Sequence, residues 1–378
     1  MYKKYYQRFL EANKEIQHYV AHSHHYWPDV TREATIKYWD DSAKMVDDKW
    51  NHIFGVKIPQ AQKLIAEVLH LAHPEQIVFA PNTHEFVYRL LSCLNLNKEV
   101  KILTTDSEFY SFERQINRLT EFPNIHVDKV QTLNFATFED RFVEKIKTEE
   151  YDLIFLSHVF FNSGVVVQNL EKIVNAVKNP NTIVVVDGYH GFMAIPTDLR
   201  FLQNRIFYIS GSYKYAQGGE GCCFMYVPPQ CELRPIYTGW FAGFSELSSK
   251  GGEVTYTNDA YRFAGSTMDY SALYRLISVL ELFKKDKITV QTIHDYVLKL
   301  QTNFRAMLAI VNHPVLNEKN ILRLDFNKHG HFFAFETGSS DTAKKLHDEL
   351  YARKIRTDYR GSRLRFGFGL YQEESVNI

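Results

Sequence analysis

Between Ile77 and Val227, short apolar runs alternate with amphipathic stretches, and few architectures accept that alternation. It predicts an α/β fold, a mostly parallel sheet covered by helices. Candidate strands are Ile77–Ala80, Lys101–Thr105, Leu153–Ser157, Ile183–Val186, Arg205–Ile209 and Cys222–Val227. The run Ile183–Val186 lacks polar alternation, as befits a central strand buried on both faces. Helices are expected over Thr83–Leu94, Ser111–Thr120 and Asn169–Lys178. Long helices should follow from about Met268 to Val311. After them His331–Glu336, Thr342–Arg353 and the strand-like run from Leu364 suggest a small C-terminal α+β domain. This reading divides the chain into an N-terminal segment (1–45), a large domain (46–267), and connecting helices with the small domain (268–378).

Bulk properties exclude several classes. Lysine plus arginine (44) balances aspartate plus glutamate (44), so no global field points to nucleic acid or an anionic membrane as partner. No apolar run follows the basic N-terminus and no stretch approaches a membrane span, so a cytoplasmic protein is expected. Cys93, Cys222, Cys223 and Cys231 lack CxxC spacing and read as buried free thiols. No G-x-G-x-x-G or P-loop follows a strand, which removes the nucleotide-binding readings. The histidines of His22-Ser-His-His25 have no carboxylate or thiol cluster at ligand spacing, so no metal site is expected.

In open sheets of this kind, ligands collect beyond the carboxyl ends of the strands. Those ends carry Asn82-Thr83-His84, Asp106-Ser107-Glu108, Ser157-His158, Asp187 and Ser210. Asp187 closes one strand, and Lys214 follows the next in Ser210-Gly-Ser-Tyr-Lys214. A lysine beside a buried aspartate suits pyridoxal phosphate. The amine condenses with the cofactor aldehyde, and the carboxylate keeps the pyridine nitrogen protonated. Ser210, Ser212 and Tyr213 offer hydroxyls to a phosphate, and Gly218-Gly-Glu-Gly221 allows a tight turn before the next strand. Thr83 and His84 open a helix after a strand, where free N–H groups attract phosphate; a plain N-cap is the alternative. Phe109 is placed to stack on a planar ring, His190 to approach its phenolic oxygen, and Arg365 to hold a substrate carboxylate. Taken singly, each has an ordinary structural reading as a core, cap or surface residue.

With those residues in place, the chain resembles the class V aminotransferase branch of fold-type I pyridoxal-phosphate enzymes, and within it the kynureninase group. The matching motifs are Asp187-Gly-Tyr-His190, Ser212-Tyr-Lys-Tyr215 with its glycine-rich turn, Gly239-Trp-Phe241, Phe109-Tyr-Ser111 and Leu364-Arg-Phe366. The resemblance implies a seven-stranded, mostly parallel sheet in the large domain. It implies that Lys214 carries the cofactor imine, Asp187 pairs with the ring nitrogen and Phe109 stacks on the ring. Thr83, His84, Tyr213 and Trp240 would surround the phosphate, and Ser266 would reach the phosphate of a neighbouring subunit in a homodimer with shared sites. Arg365 would grip the α-carboxylate of an amino-acid substrate, with His24 and Trp27 near the pocket mouth. The implied reaction is hydrolytic Cβ–Cγ cleavage of kynurenine or a related aryl-keto amino acid, giving an aryl amine acid and alanine. Transamination of another amino acid is the alternative. A cysteine desulfurase is less favoured because no cysteine follows Cys231, and a silent scaffold because Lys214, Asp187 and Arg365 are all retained.

Overall fold

The computed structural model describes residues 2–246 and 254–374. Seven strands build the main sheet: β1 (Ile77–Ala80), β2 (Val100–Thr105), β3 (Ile125–Val130), β4 (Leu153–Ser157), β5 (Ile183–Asp187), β6 (Phe207–Gly211) and β7 (Cys223–Tyr226). Their spatial order is β1-β7-β6-β5-β4-β2-β3, with β7 antiparallel to both neighbours and the others parallel. The central strands carry no charge before their last residue because helices cover both faces; Val184, Val185 and Val186 are fully buried.

β3 escapes the apolar-run criterion. Its sequence Ile-His-Val-Asp-Lys-Val puts polar side chains into solvent at the sheet edge, where one face and one side stay wet. The strand expected from Arg205 begins at Phe207, since Arg205 turns away and donates to the carbonyls of Thr182 and Asn179.

The helix Ser271–Lys285 buries Leu273, Leu276, Ile277 and Leu280 in the core of the large domain. The next helix, Val290–Val311, contributes Val297, Leu300, Phe304 and Leu308 to a separate core beneath the small sheet. That sheet comprises β8 (Phe332–Glu336), β9 (Asp358–Arg360) and β10 (Arg363–Gly367), in the order β9-β10-β8, all antiparallel. The N-terminal segment is built into both parts. Gln17–His18 pairs in parallel with Ile355–Arg356, and helix Val30–Met45 packs along Ser271–Lys285.

All four cysteines are free, but Cys93 and Cys231 are only partly buried, unlike Cys222 and Cys223. Among the described residues, no helix is long and apolar enough to cross a membrane, and no group of three or more His, Cys, Asp or Glu could hold a metal ion.

Candidate active site

The parallel strands deliver their carboxyl ends, and the antiparallel β7 its first residue, to one edge of the sheet. Ser157 stands opposite Asp187, Asp187 opposite Ile209, and Gly211 opposite Cys223. This register brings Asp187, Lys214, His190 and Phe109 into one neighbourhood.

Lys214 is only 6% exposed. Its Nζ lies 3.1 Å from His190 Nε2, 4.6 Å from the centre of the Tyr189 ring and 5.2 Å from that of Phe109. Burial pulls the amine down to about 7; Asp187 opposes that fall and Arg365 adds to it. A protonated Lys214 can only donate, so Nε2 of the neutral His190 is its acceptor; the His22 backbone opposes the fall in the imidazole's pKa. Burial holds this imidazole well below its ordinary value, and the charges of Lys214 and Arg365 reinforce the effect.

Asp187 accepts a hydrogen bond from the Tyr189 backbone N–H at 2.8 Å. Burial raises its carboxyl from the usual carboxylate range, while that hydrogen bond and Lys214 pull the other way. Among the described residues, no carboxylate lies within ion-pair distance of Lys214 Nζ, although Asp187 is close enough to shift it. The buried amine and the half-buried acid stand separated rather than paired, with the rings of Tyr189 and Phe109 over the amine.

The phosphate end is less uniform. Asn82 caps the helix Thr83–Leu91 by accepting from Glu85 N at 3.0 Å, so the N-cap alternative holds for that residue. Thr83 N–H is directed at Cys223 Sγ, which also lies 3.4 Å from Tyr189 Oη. Tyr213 meets Tyr189 edge-on at 5.9 Å. Thr83, Cys223, Tyr189 and Tyr213 therefore form one continuous wall. His84 is exposed and bonded through Nδ1 to Gln115 Nε2 at 2.9 Å.

Two expected hydroxyls are spoken for. Ser210 Oγ donates to the Gly188 carbonyl and Ser212 Oγ to the Gly219 carbonyl, and both serines are fully buried. They hold the turns around Lys214 instead of facing a ligand, because any other placement would strand a buried donor.

Trp240, 44% exposed, clusters with Phe241 and Phe244 on the surface. The exposed Ser266 belongs to the same region, since Phe241 N donates to the Gly265 carbonyl at 3.2 Å. Trp27 packs on Gly219 and the Arg275 guanidinium, and the exposed His24 touches Tyr213 edge-on at 5.9 Å. A Cβ at Gly219, whose φ is +73°, would come within 2.5 Å of the Trp27 ring, so this position demands glycine.

Sequence reasoning gave Glu108 no role. It is buried one residue before Phe109 and accepts from Thr105 Oγ1 (2.6 Å), Ser157 Oγ (2.6 Å) and Ser157 N (3.2 Å). Burial pushes this carboxyl up to about 7, and nearby Asp187 adds to the rise against those hydrogen bonds. Asp358 and His22, which surround Arg365, were also passed over. The two-residue turn Gly361-Ser362 carried the missing signal, because a hairpin closed there puts Asp358 opposite Arg365.

A profile of the aminotransferase class-V family matches residues 27–344. The chain belongs to that family. It is accordingly a pyridoxal-phosphate-dependent enzyme, and the separated Lys214 and Asp187 fit that cofactor. The kynureninase of Geobacillus thermodenitrificans (strain NG80-2) is 25% identical over 231 residues, covering 57% of this chain and 52% of the relative. That of Bacillus cereus (strain ATCC 10987 / NRS 248) is 24% identical over 246 residues, covering 61% and 56%. The chain thus spans little more than half the length of these curated relatives in the matched region. Solved structures share the fold at lower identity. A mutant of C-DES with glycine covalently linked to its PLP cofactor superposes with TM-score 0.80 at 18% identity, over 98% of this chain and 95% of that one. The apo cysteine desulfurase of Thermococcus onnurineus NA1 gives 0.76 at 18%, over 95% and 91%.

Proposed function

We propose that this class-V enzyme acts on an L-amino acid with an aryl-keto side chain, hydrolysing the Cβ–Cγ bond as a kynureninase does. The observation that carries the proposal is the environment of Lys214: a buried amine near neutrality, bonded to a neutral imidazole and facing Phe109. Bound cofactor supplies an aldehyde for imine exchange and an electron-withdrawing ring. Released by the incoming amino group, Lys214 would take the α-proton through Nζ, while His190 Nε2 keeps that nitrogen aimed. Asp187 would hold the proton on the ring nitrogen, and Tyr213 and Thr83 would serve the phosphate end.

Two features favour the aryl-keto substrate. Phe161 meets Phe109 and Tyr110 edge-to-face at 5.5 and 5.4 Å, and the three offer an aromatic wall whose Phe109 ring faces Lys214. The kynureninases are also sequence relatives, over 57–61% of this chain. Cysteine desulfurization is disfavoured because its reaction needs a thiol on a late loop and Cys231 is the last cysteine.

The exposed Trp240, Phe244 and Ser266 on one face support a homodimer whose partner completes each phosphate site. Purified protein should turn yellow with cofactor and bleach in Lys214→Ala. Mixed with kynurenine it should release a fluorescent aryl amine and alanine. A yellow protein that releases no aryl amine but converts a keto acid would instead be an aminotransferase.

A further inference from the structure

Arg365 is not a free cation awaiting a substrate. It is 3% exposed, and its Nε and Nη2 donate to the two carboxylate oxygens of Asp358 at 2.8 and 2.5 Å. Nη1 donates to the Phe161 carbonyl at 2.6 Å. Three of the five guanidinium N–H groups are committed, which leaves one on each terminal nitrogen.

Asp358 is itself held from a third direction. His22 Nε2 lies 2.9 Å from Oδ1, and Ser23 Oγ donates to Oδ2 at 3.1 Å. His22 is fully buried and stacked 4.8 Å from Phe332, and its Nδ1 has no partner among the described residues. The tautomer follows: Nε2–H faces the carboxylate. The ring is seated by Gly367, where any Cβ would run into Nδ1. Burial keeps His22 neutral, down to about 4, so it donates a hydrogen bond without adding charge. The His22 backbone also lies close enough to His190, the partner of Lys214, to oppose the fall in its pKa.

We infer that Asp358 and His22 are positioning residues that hold the Arg365 guanidinium with two N–H groups free for a substrate carboxylate. This rests on the proposed amino-acid chemistry at Lys214. Without Asp358 the guanidinium keeps only its bond to the Phe161 carbonyl and is free to rotate; a fork recognises a carboxylate only while its plane is fixed. The segment His22–His25 thereby gains a task. It braces the carboxylate clamp with the side chains of His22 and Ser23.

The test titrates holoenzyme spectrally with L-kynurenine and with kynuramine, which lacks only the carboxylate. Asp358→Asn should weaken L-kynurenine by about tenfold or more, leave kynuramine within about twofold, and raise KM with kcat little changed. His22→Leu should weaken L-kynurenine in the same selective way. His22→Gln, whose amide N–H can replace Nε2–H, should retain it. Equal losses for both ligands would make Asp358 merely structural, and unchanged or tighter L-kynurenine binding would also overturn the inference. If Asp358→Asn does not fold, the His22 pair decides alone, and equal behaviour of Leu and Gln refutes it. A wild type silent toward L-kynurenine sinks the proposed reaction and this inference together; a responsive wild type whose variants bind L-kynurenine as it does, or lose both ligands equally, isolates the inference as the failure.

Discussion

Lys214 Nζ and His190 Nε2 are 3.1 Å apart, with the imidazole held neutral by burial. A neutral acceptor at this distance orients the amine without repelling it when it gains a proton. His190→Ala should therefore still bind cofactor and show its colour. Turnover should fall by up to about 100-fold, the scale on which a misplacement of about 1 Å slows a reaction. Stopped-flow absorbance after mixing with substrate separates the two effects. A variant that loses colour as well would mean that His190 serves cofactor retention instead.

The lysine also leaves a thermodynamic signature in the apoprotein. Its folded value near 7 is far below the ordinary one, so between the two the unfolded chain binds more protons. Stability contributed by this group thus rises with pH above about 7. Lys214→Met removes the buried amine and should be more stable than apo wild type near pH 6. That advantage should shrink steadily toward pH 10. Paired urea titrations across this range would register it, and a pH-independent gap would mean that the amine is solvated.

How far the sequence disclosed this site depends on what kind of information each residue carries. The strands ending in Asp187 and preceding Lys214 were legible because buried parallel strands read as unbroken apolar runs, and their ends are where loops turn polar. β3 was not, since an edge strand shows solvent a polar pattern indistinguishable from a loop. Arg365 was seen as a lone guanidinium. Its partner Asp358 lies across a hairpin, and His22, which holds Asp358, lies 336 positions before that aspartate; only folding brings His22 near. The hydroxyls of Ser210 and Ser212 were misread for the same reason: composition reveals a donor, not the carbonyl that has already claimed it.

Phe109 is 38% exposed in a position where a solitary core phenylalanine would be covered. Its ring faces Lys214 and leans edge-on against Phe161. Phe109→Ala should raise the cofactor dissociation constant by about 2- to 13-fold, corresponding to stacking worth about 0.5–1.5 kcal/mol. Thermal stability of the apoprotein should change little, because the exposed ring contributes little to the core. Equilibrium dialysis against cofactor, alongside an apo melt, distinguishes this from general unfolding. Equal losses in both would reduce Phe109 to a packing residue.

Glu108 supplies the sharpest contrast with the lysine, since its shift has the opposite sign. Burial raises its carboxyl to about 7, so between the ordinary carboxyl range and that value the folded protein binds more protons than the unfolded chain. Stability must then fall as pH climbs through this interval. Glu108→Gln keeps the shape and can still accept from Ser157, but it cannot ionise. The substitution should be nearly neutral at pH 5 and stabilising relative to wild type at pH 8. Glu108→Ala should be destabilising at both, because Thr105 Oγ1 and Ser157 Oγ would lose their acceptor and the loop carrying Phe109 its tie to β4. Melting curves of the three proteins at the two pH values test the argument. A Gln variant that tracks wild type at both would mean that Glu108 stays charged throughout, held by its three donors against the cost of burial.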